Sequence, residues 1–130
     1  MAERPVRVVP KWGWWAGFAA VTAGALWLTQ RAYLHGLPVV LNKVWESDKI
    51  IHFVIAGLLA FFLDGALARR SAFVIRGFAV PLAAVLVLVP TGIEECLQSL
   101  SELRTASIWD YAGDVAGVLA FIPLSRRFAK

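Results

Sequence analysis

Ionisable side chains in this sequence gather at the edges of long apolar stretches. Asp48, Lys49 and His52 open one such stretch, and Asp48 and His52 are four residues apart, which places them on one face of a helix. Glu95 and Gln98 close the next stretch and, being three residues apart, also share a helix face. Imidazole and carboxylate groups serve proteins as general bases and metal ligands, so these residue types at these spacings can do chemistry.

A further group of polar residues opens the last apolar stretch. Ser107 stands three residues before Asp110, a capping-box variant that predicts the start of a helix. Asp110, Asp114 and Gly117 follow along one helical stripe, and Gly117 is small enough for a neighbouring helix to approach closely. The ends of three helices thus bring the candidate site residues to one level: Asp48, Lys49, His52, Glu95, Gln98, Arg104, Asp110 and Asp114.

Two roles fit this group of residues. The N-termini of two helices attract anions, and together with Lys49 and Arg104 they can hold a phosphate. The carboxylates can in turn hold a divalent cation that bridges to the phosphate. In the alternative role, Asp110 and Asp114 pair with Arg104 and His52 and only hold the helices together, as buried polar residues in helix bundles often do.

The stretches that position these residues are apolar enough to lie in a membrane. Of the 130 residues, 59% are apolar and 17% are charged, and the mean hydropathy is +0.68. A soluble domain has about 45–50% apolar and about 25% charged residues. Four segments approach the roughly 17–25 residues that a membrane-spanning helix needs. They cover about residues 12–28, 50–68, 77–93 and 108–124.

We therefore expect residues 1–130 to form a single all-α domain, an integral membrane four-helix bundle. Residues 69–76 are predicted to be the tight connection of a helical hairpin between the second and third spans. The tryptophans support these boundaries, because Trp favours the level of the lipid head groups. The alternative is that they pack between helices. All six lie near predicted span ends: Trp12, Trp14, Trp15, Trp27, Trp45 and Trp109.

The distribution of basic residues predicts the orientation of the bundle. Nine Lys and Arg residues flank the spans on the side of the two termini, and four lie in the other two connections. By the positive-inside rule, both termini face the cytoplasm and the polar residues face the extracytoplasmic side of the inner membrane. The net charge of +4 is then a topology signal and predicts no nucleic-acid partner, because the basic residues form no continuous stripe.

The ordered polar residues resemble a known family. Asp-Lys-x-x-His before one span, Glu-x-x-Gln after the next, and Arg, Ser, Asp and Gly around the start of the last are typical of the VanZ-like family of small bacterial membrane proteins. The resemblance covers about residues 45–122, and this chain has Asp114 where the family usually has Asn. The matching residues are Asp48, Lys49, His52, Glu95, Gln98, Arg104, Ser107, Asp110 and Gly117.

The resemblance implies a role in the cell envelope. The name-giving member lowers susceptibility to teicoplanin, a lipoglycopeptide directed at cell-wall precursors, whereas most relatives have no established biochemical activity. We therefore expect binding of membrane lipids, and in particular of a phosphate-bearing, polyprenyl-phosphate type lipid at the extracytoplasmic leaflet, with a divalent cation as the candidate cofactor.

Within this hypothesis the site residues have different roles. Asp48, His52, Asp110 and Asp114 surround the head group, Lys49 and Arg104 supply positive charge, and Glu95 and Gln98 orient them. One alternative is a lipid phosphatase or transferase that uses His52 or a carboxylate as a general base with a metal ion. The other alternative is a structural partner subunit that binds no small ligand.

Overall fold

The computed structural model describes residues 9–35, 45–100 and 107–128. The chain is mostly helical, as predicted, although a short β-hairpin interrupts the helices. The elements in chain order are α1 (Lys11–His35), α2 (Trp45–Ala66), β1 (Ser71–Ile75), β2 (Phe78–Pro81), α3 (Leu82–Gln98) and α4 (Ile108–Phe128).

Helices α2 and α4 form the most extensive helix contact of the described residues. Glycine makes this contact close: a Cβ atom at Gly117 would collide with the carbonyl oxygen of Phe53 and stand 3.0 Å from the backbone nitrogen of Gly57. A Cβ atom at Gly113 would stand 3.0 Å from the carbonyl oxygen of Lys49. Small residues four apart allow backbones to touch in this way, so the expectation for Gly117 is confirmed.

Helix α1 packs on α2 through an aromatic contact. Trp14 is buried, its ring lies 5.3 Å from that of Phe61, and it covers Gly65, where a Cβ atom would collide with the indole. Trp14 therefore packs between helices, which was the alternative to a head-group position. Trp12 and Trp27 are exposed. Behind these contacts lies a small apolar core made of Ala56, Ala60, Leu63, Ala83, Val87, Val118 and Ile122.

The surface and the interior show an unusual distribution of polarity. The buried side chains include several polar ones, whereas large apolar side chains such as Leu26, Leu86 and Leu119 are exposed, Leu119 to 69%. Acidic side chains are almost never fully buried unless they are paired, and each buried acid among the described residues has a polar partner. The buried polar residues are Asp64, Gln98, Asp110, Asp114 and Ser125.

Among the described helices, only the Lys49–Ala66 segment of α2 is both long and apolar enough to cross a membrane by itself. Helix α3 has 17 residues, and α4 carries acids in its first turns and Arg126 and Arg127 in its last turn. The described residues contain four helices, as predicted, and the membrane four-helix bundle with its four crossings remains a prediction.

The connection between α2 and α3 differs from the sequence prediction. Residues 71–81 form an antiparallel hairpin in place of a short turn followed by the third helix from residue 77. Its two-residue turn has positive φ at both Arg76 (49°) and Gly77 (83°), as in the type I′ turns that favour hairpins. Pro81 occupies the N-cap position of α3, which begins at Leu82, and proline is tolerated at a helix start.

Substitution of Gly117 tests the close contact of α2 with α4. We expect Gly117→Ala to lower the free energy of unfolding by more than about 2 kcal/mol, because the new methyl group forces two backbones apart. Gly24→Ala is the matched control, since a Cβ atom at Gly24 meets no atom within 4 Å. Thermal unfolding of the purified chain in mild detergent measures both. Equal stability of the two variants would show that the helices do not depend on this contact.

Candidate functional site

His52 and Asp114 face each other where α2 contacts α4. The Nδ1 atom of His52 lies 2.9 Å from Oδ1 of Asp114, and the two side chains are only 18% and 4% exposed. A carboxylate accepts hydrogen bonds, so the imidazole of His52 donates through Nδ1–H, and in its neutral form the lone pair is on Nε2. The predicted convergence of these two residues is present in the structure.

A second pair lies one turn nearer the start of both helices. The Nζ atom of Lys49 lies 4.0 Å from Oδ1 of Asp110, and the Asp110 side chain is buried. Ser107 caps α4, because its hydroxyl accepts a hydrogen bond from the backbone nitrogen of Trp109 at 3.3 Å. Two successive turns of α2 thus contact two successive turns of α4, one through an ion pair and the other through a hydrogen bond.

Helix α3 contributes adjacent carboxylates with different partners. Glu95 accepts a hydrogen bond from the backbone nitrogen of Ser107 at 2.6 Å, which ties α3 to the start of α4. Glu94 accepts from Nε2 of Gln98 at 3.0 Å and from the Thr29 hydroxyl of α1 at 3.3 Å. Gln98 is buried and donates its hydrogen bond to Glu94, whereas helical spacing predicted that it shares a face with Glu95.

Glu94 and Thr29 are site residues that were not predicted from the sequence. Glu94 precedes Gln98 by four residues, a spacing at which helical side chains meet, so this signal was present. Thr29 has no such signal, because its position depends on how α1 packs against the other helices.

Polar side chains at this end of the bundle border a cavity of about 110 Å³, to which all four helices contribute. Its wall includes the apolar residues Leu28, Ile55 and Leu59. Leu59 lies about 10 Å deeper along α2 than His52, given a rise of 1.5 Å per residue. The cavity therefore joins a polar end to an apolar interior. Its polar wall includes Thr29, His52, Glu94, Glu95, Gln98 and Asp114.

One group at this end has the composition of a metal site. His52, Glu95 and Asp110 each offer one ligand atom, and these atoms all lie within 4.8 Å of one another. The three residues come from α2, α3 and α4, and none of them is exposed. They can hold a cation with one nitrogen and two oxygen ligands.

Two predicted site residues cannot be assigned contacts. Asp48 lies in α2, but its side chain is outside the described residues, and Arg104 lies outside them altogether. Their roles beside a phosphate therefore stay predictions. The described charged groups around the cavity and its edge include the carboxylates of Glu94, Glu95, Asp110 and Asp114 and the ammonium of Lys49, and Arg31 lies over Trp27 on α1.

The opposite end of the bundle holds a different polar contact. Asp64 is 1% exposed and accepts hydrogen bonds from the Ser125 hydroxyl at 2.7 Å and from Nε of Arg126 at 3.4 Å. It lies about 18 Å from His52 along α2, given a rise of 1.5 Å per residue. This carboxylate has matched donors, so its role is to hold α2 and α4 together.

The two ends should respond differently to loss of one carboxylate. We expect Asp64→Asn to lower the free energy of unfolding by about 1–3 kcal/mol, because a charge-assisted contact is lost in a buried place. Asp110→Asn, the matched variant at the site, should leave stability unchanged or raise it, because a carboxylate that is retained for function is not placed to maximise stability. Thermal unfolding in detergent measures both. A larger loss for Asp110→Asn would favour the purely structural role.

No family model, curated protein or solved structure matches this chain. The function is therefore inferred from the residues of the site and from the motif resemblance.

Proposed function

We propose that this chain is a VanZ-like multi-pass protein of the bacterial inner membrane that binds the phosphate-bearing head group of an envelope lipid. The lipid is of the polyprenyl-phosphate type or a cell-wall precursor linked to it, and it enters from the extracytoplasmic leaflet. The observation that carries this proposal is the cavity with a polar end and an apolar interior, because a lipid has the same two parts where its head group meets its chain.

The distribution of side chains supports a membrane location. Large apolar residues cover the outside of the helices while acids lie inside, an arrangement that suits a hydrocarbon solvent. The hairpin exposes Phe73, Val74 and Phe78 beside Arg70 and Arg76. Apolar and basic residues together favour the anionic surface of the cytoplasmic leaflet, which agrees with the orientation predicted from the basic residues.

The start of α4 supports anion binding at the polar end. Helix α4 begins at Ile108, and its first turns carry Asp110, which is grouped with His52 and Glu95. The positive end of its helix dipole is therefore directed at the site. Lys49 adds a positive charge there, and the Arg104 predicted from the sequence would add another. Teicoplanin-type resistance, which the family resemblance implies, would follow from sequestering or altering such a lipid.

A membrane-embedded phosphatase or transferase is the second candidate function. The hydrogen bond of Asp114 to the ring of His52 orients an imidazole at the cavity wall, as a general base requires. Release of phosphate from lipid pyrophosphates, with and without divalent cations, separates the two candidates. Turnover that disappears in His52→Ala would establish the enzyme and rule out binding alone.

Filling the cavity tests lipid binding without changing any charge. Ala25 lines the cavity, so Ala25→Phe should remove the polyprenyl-phosphate lipid that co-purifies with the wild-type protein. Ala23→Phe is the matched control, because Ala23 is exposed on the same helix. Lipid-resolved mass spectrometry of protein purified in mild detergent makes the comparison. If the wild-type protein carries only bulk phospholipid, the proposed ligand is wrong.

The native cysteine tests the membrane orientation. Cys96 is the only cysteine of the sequence and is exposed next to Glu95. We expect a membrane-impermeant maleimide to label it in intact spheroplasts, because the polar end faces outward. In the control protein, Cys96→Ser combined with Arg76→Cys, the hairpin cysteine should react only after the membrane is opened. The reverse labelling pattern would indicate the opposite orientation in the membrane. Labelling of both cysteines from outside would rule out the membrane arrangement.

A further inference from the structure

We propose that His52, Glu95 and Asp110 bind one divalent first-row metal ion, such as Zn²⁺ or Mn²⁺, and that Asp114 orients His52 toward it. This inference deepens the proposed function, because the ion would supply the positive charge that a phosphate head group needs. Metal binding itself can be tested without any lipid.

The donor atoms are already close to the arrangement that an ion requires. Around a tetrahedral ion with bonds of about 2.1 Å, donor atoms stand about 3.4 Å apart. The three donors of this site lie within 4.8 Å of one another, so small side-chain rotations bring them onto one ion. Three different helices carry them, which makes the grouping a product of the fold rather than of one acidic sequence.

Asp114 gives this group a feature that a simple acidic cluster lacks. Metal-binding histidines usually donate their second ring N–H to a carboxylate, which fixes the tautomer and the direction of the ring. Asp114 accepts that hydrogen bond from Nδ1 of His52 at 2.9 Å and is itself buried. The imidazole lone pair is then on Nε2, the nitrogen that would bind the ion.

Acidic side chains outnumber basic ones among the described residues at this end. Glu94, Glu95, Asp110 and Asp114 bring four carboxylates around the cavity and its edge, and Lys49 is the described basic residue that contacts them by ion pairing. A local excess of carboxylates is the setting in which a divalent cation is bound. A divalent ion offsets the carboxylates and offers a positive centre on which phosphate oxygens can bind.

The donor set indicates the class of metal. Mg²⁺ and Ca²⁺ prefer shells made of oxygen ligands alone, whereas imidazole suits Zn²⁺ and other first-row metals, and carboxylates also suit Mn²⁺. Three protein ligands leave a coordination position open, as in zinc sites that accept water or substrate. The cavity lined by His52 and Glu95 provides the space for that position.

Isothermal titration calorimetry of the chelator-treated full chain with Zn²⁺ or Mn²⁺ tests the inference. We expect one ion per chain for the wild type and loss of this binding in His52→Asn, Glu95→Gln and Asp110→Asn. Asp114→Asn should weaken affinity by about 10- to 100-fold, as expected for a residue that orients a ligand. Glu94→Gln is the matched control, because its carboxylate lies one residue away on α3 and belongs to the Gln98 and Thr29 contacts.

A second readout separates loss of the site from loss of the fold. The metal should raise the thermal midpoint of the wild type and of Glu94→Gln and leave the three ligand variants unchanged, because an ion stabilises only the state that binds it. Circular dichroism before titration establishes that each variant is helical. Absence of stoichiometric binding to the folded wild type, or equal loss in Glu94→Gln, would overturn the inference.

Binding of polyprenyl phosphate to the same preparations distinguishes this inference from the proposed function. Lipid binding that requires the metal supports both. Metal binding without lipid binding contradicts the proposed function and leaves the metal site intact. Lipid binding that persists after chelation, in a protein that takes up no metal, contradicts the metal site and leaves the proposed function intact.

Discussion

The site depends on the close contact of two helix backbones. Gly113 and Gly117 allow α4 to lie directly against α2, and only at that separation does His52 reach Asp114. The same approach brings Asp110 within reach of Lys49. Since these side chains are short or partly buried, a small increase in helix separation would break the pairs. The packing of glycines on α4 against the α2 backbone therefore controls the geometry of the polar groups.

The two ends of the α2/α4 contact use buried carboxylates in different ways. At one end, Asp64 has donors from Ser125 and Arg126, and this arrangement compensates the cost of burying its charge. At the other end, four carboxylates lie around a cavity, and their partners include His52, Lys49 and uncharged donors of α1, of α3 and at the start of α4. The contrast is the reason for placing the proposed site at the end that carries His52.

Much of the site could be predicted from the sequence, because helical spacing and the positions of helix ends determine which residues share a level. His52, Glu95, Asp110 and Asp114 were placed together on this basis. Their exact partners could not be predicted. Gln98 contacts Glu94 because of the rotation of α3 about its axis, which spacing alone does not determine.

Some features of the fold depend on information that hydropathy does not carry. Residues 69–76 were predicted to be a tight connection and Phe78 to lie at the start of a helix, but the Arg76-Gly77 turn and Pro81 favour a hairpin. Trp14 is of a residue type that favours the level of the lipid head groups, and yet its ring packs against Gly65. The contribution of Thr29 likewise depends on the packing of α1, which a single sequence does not reveal.

The central claim is that helix packing creates a metal-dependent phosphate site at this end of the bundle. Anomalous diffraction from crystals of the protein grown with Mn²⁺ and a short-chain prenyl phosphate tests it most directly. The expected result is one anomalous peak bonded to His52, Glu95 and Asp110, with a phosphate oxygen in the remaining coordination position. Ordered side chains in the same arrangement with no anomalous peak, or a phosphate bound elsewhere, would contradict the claim.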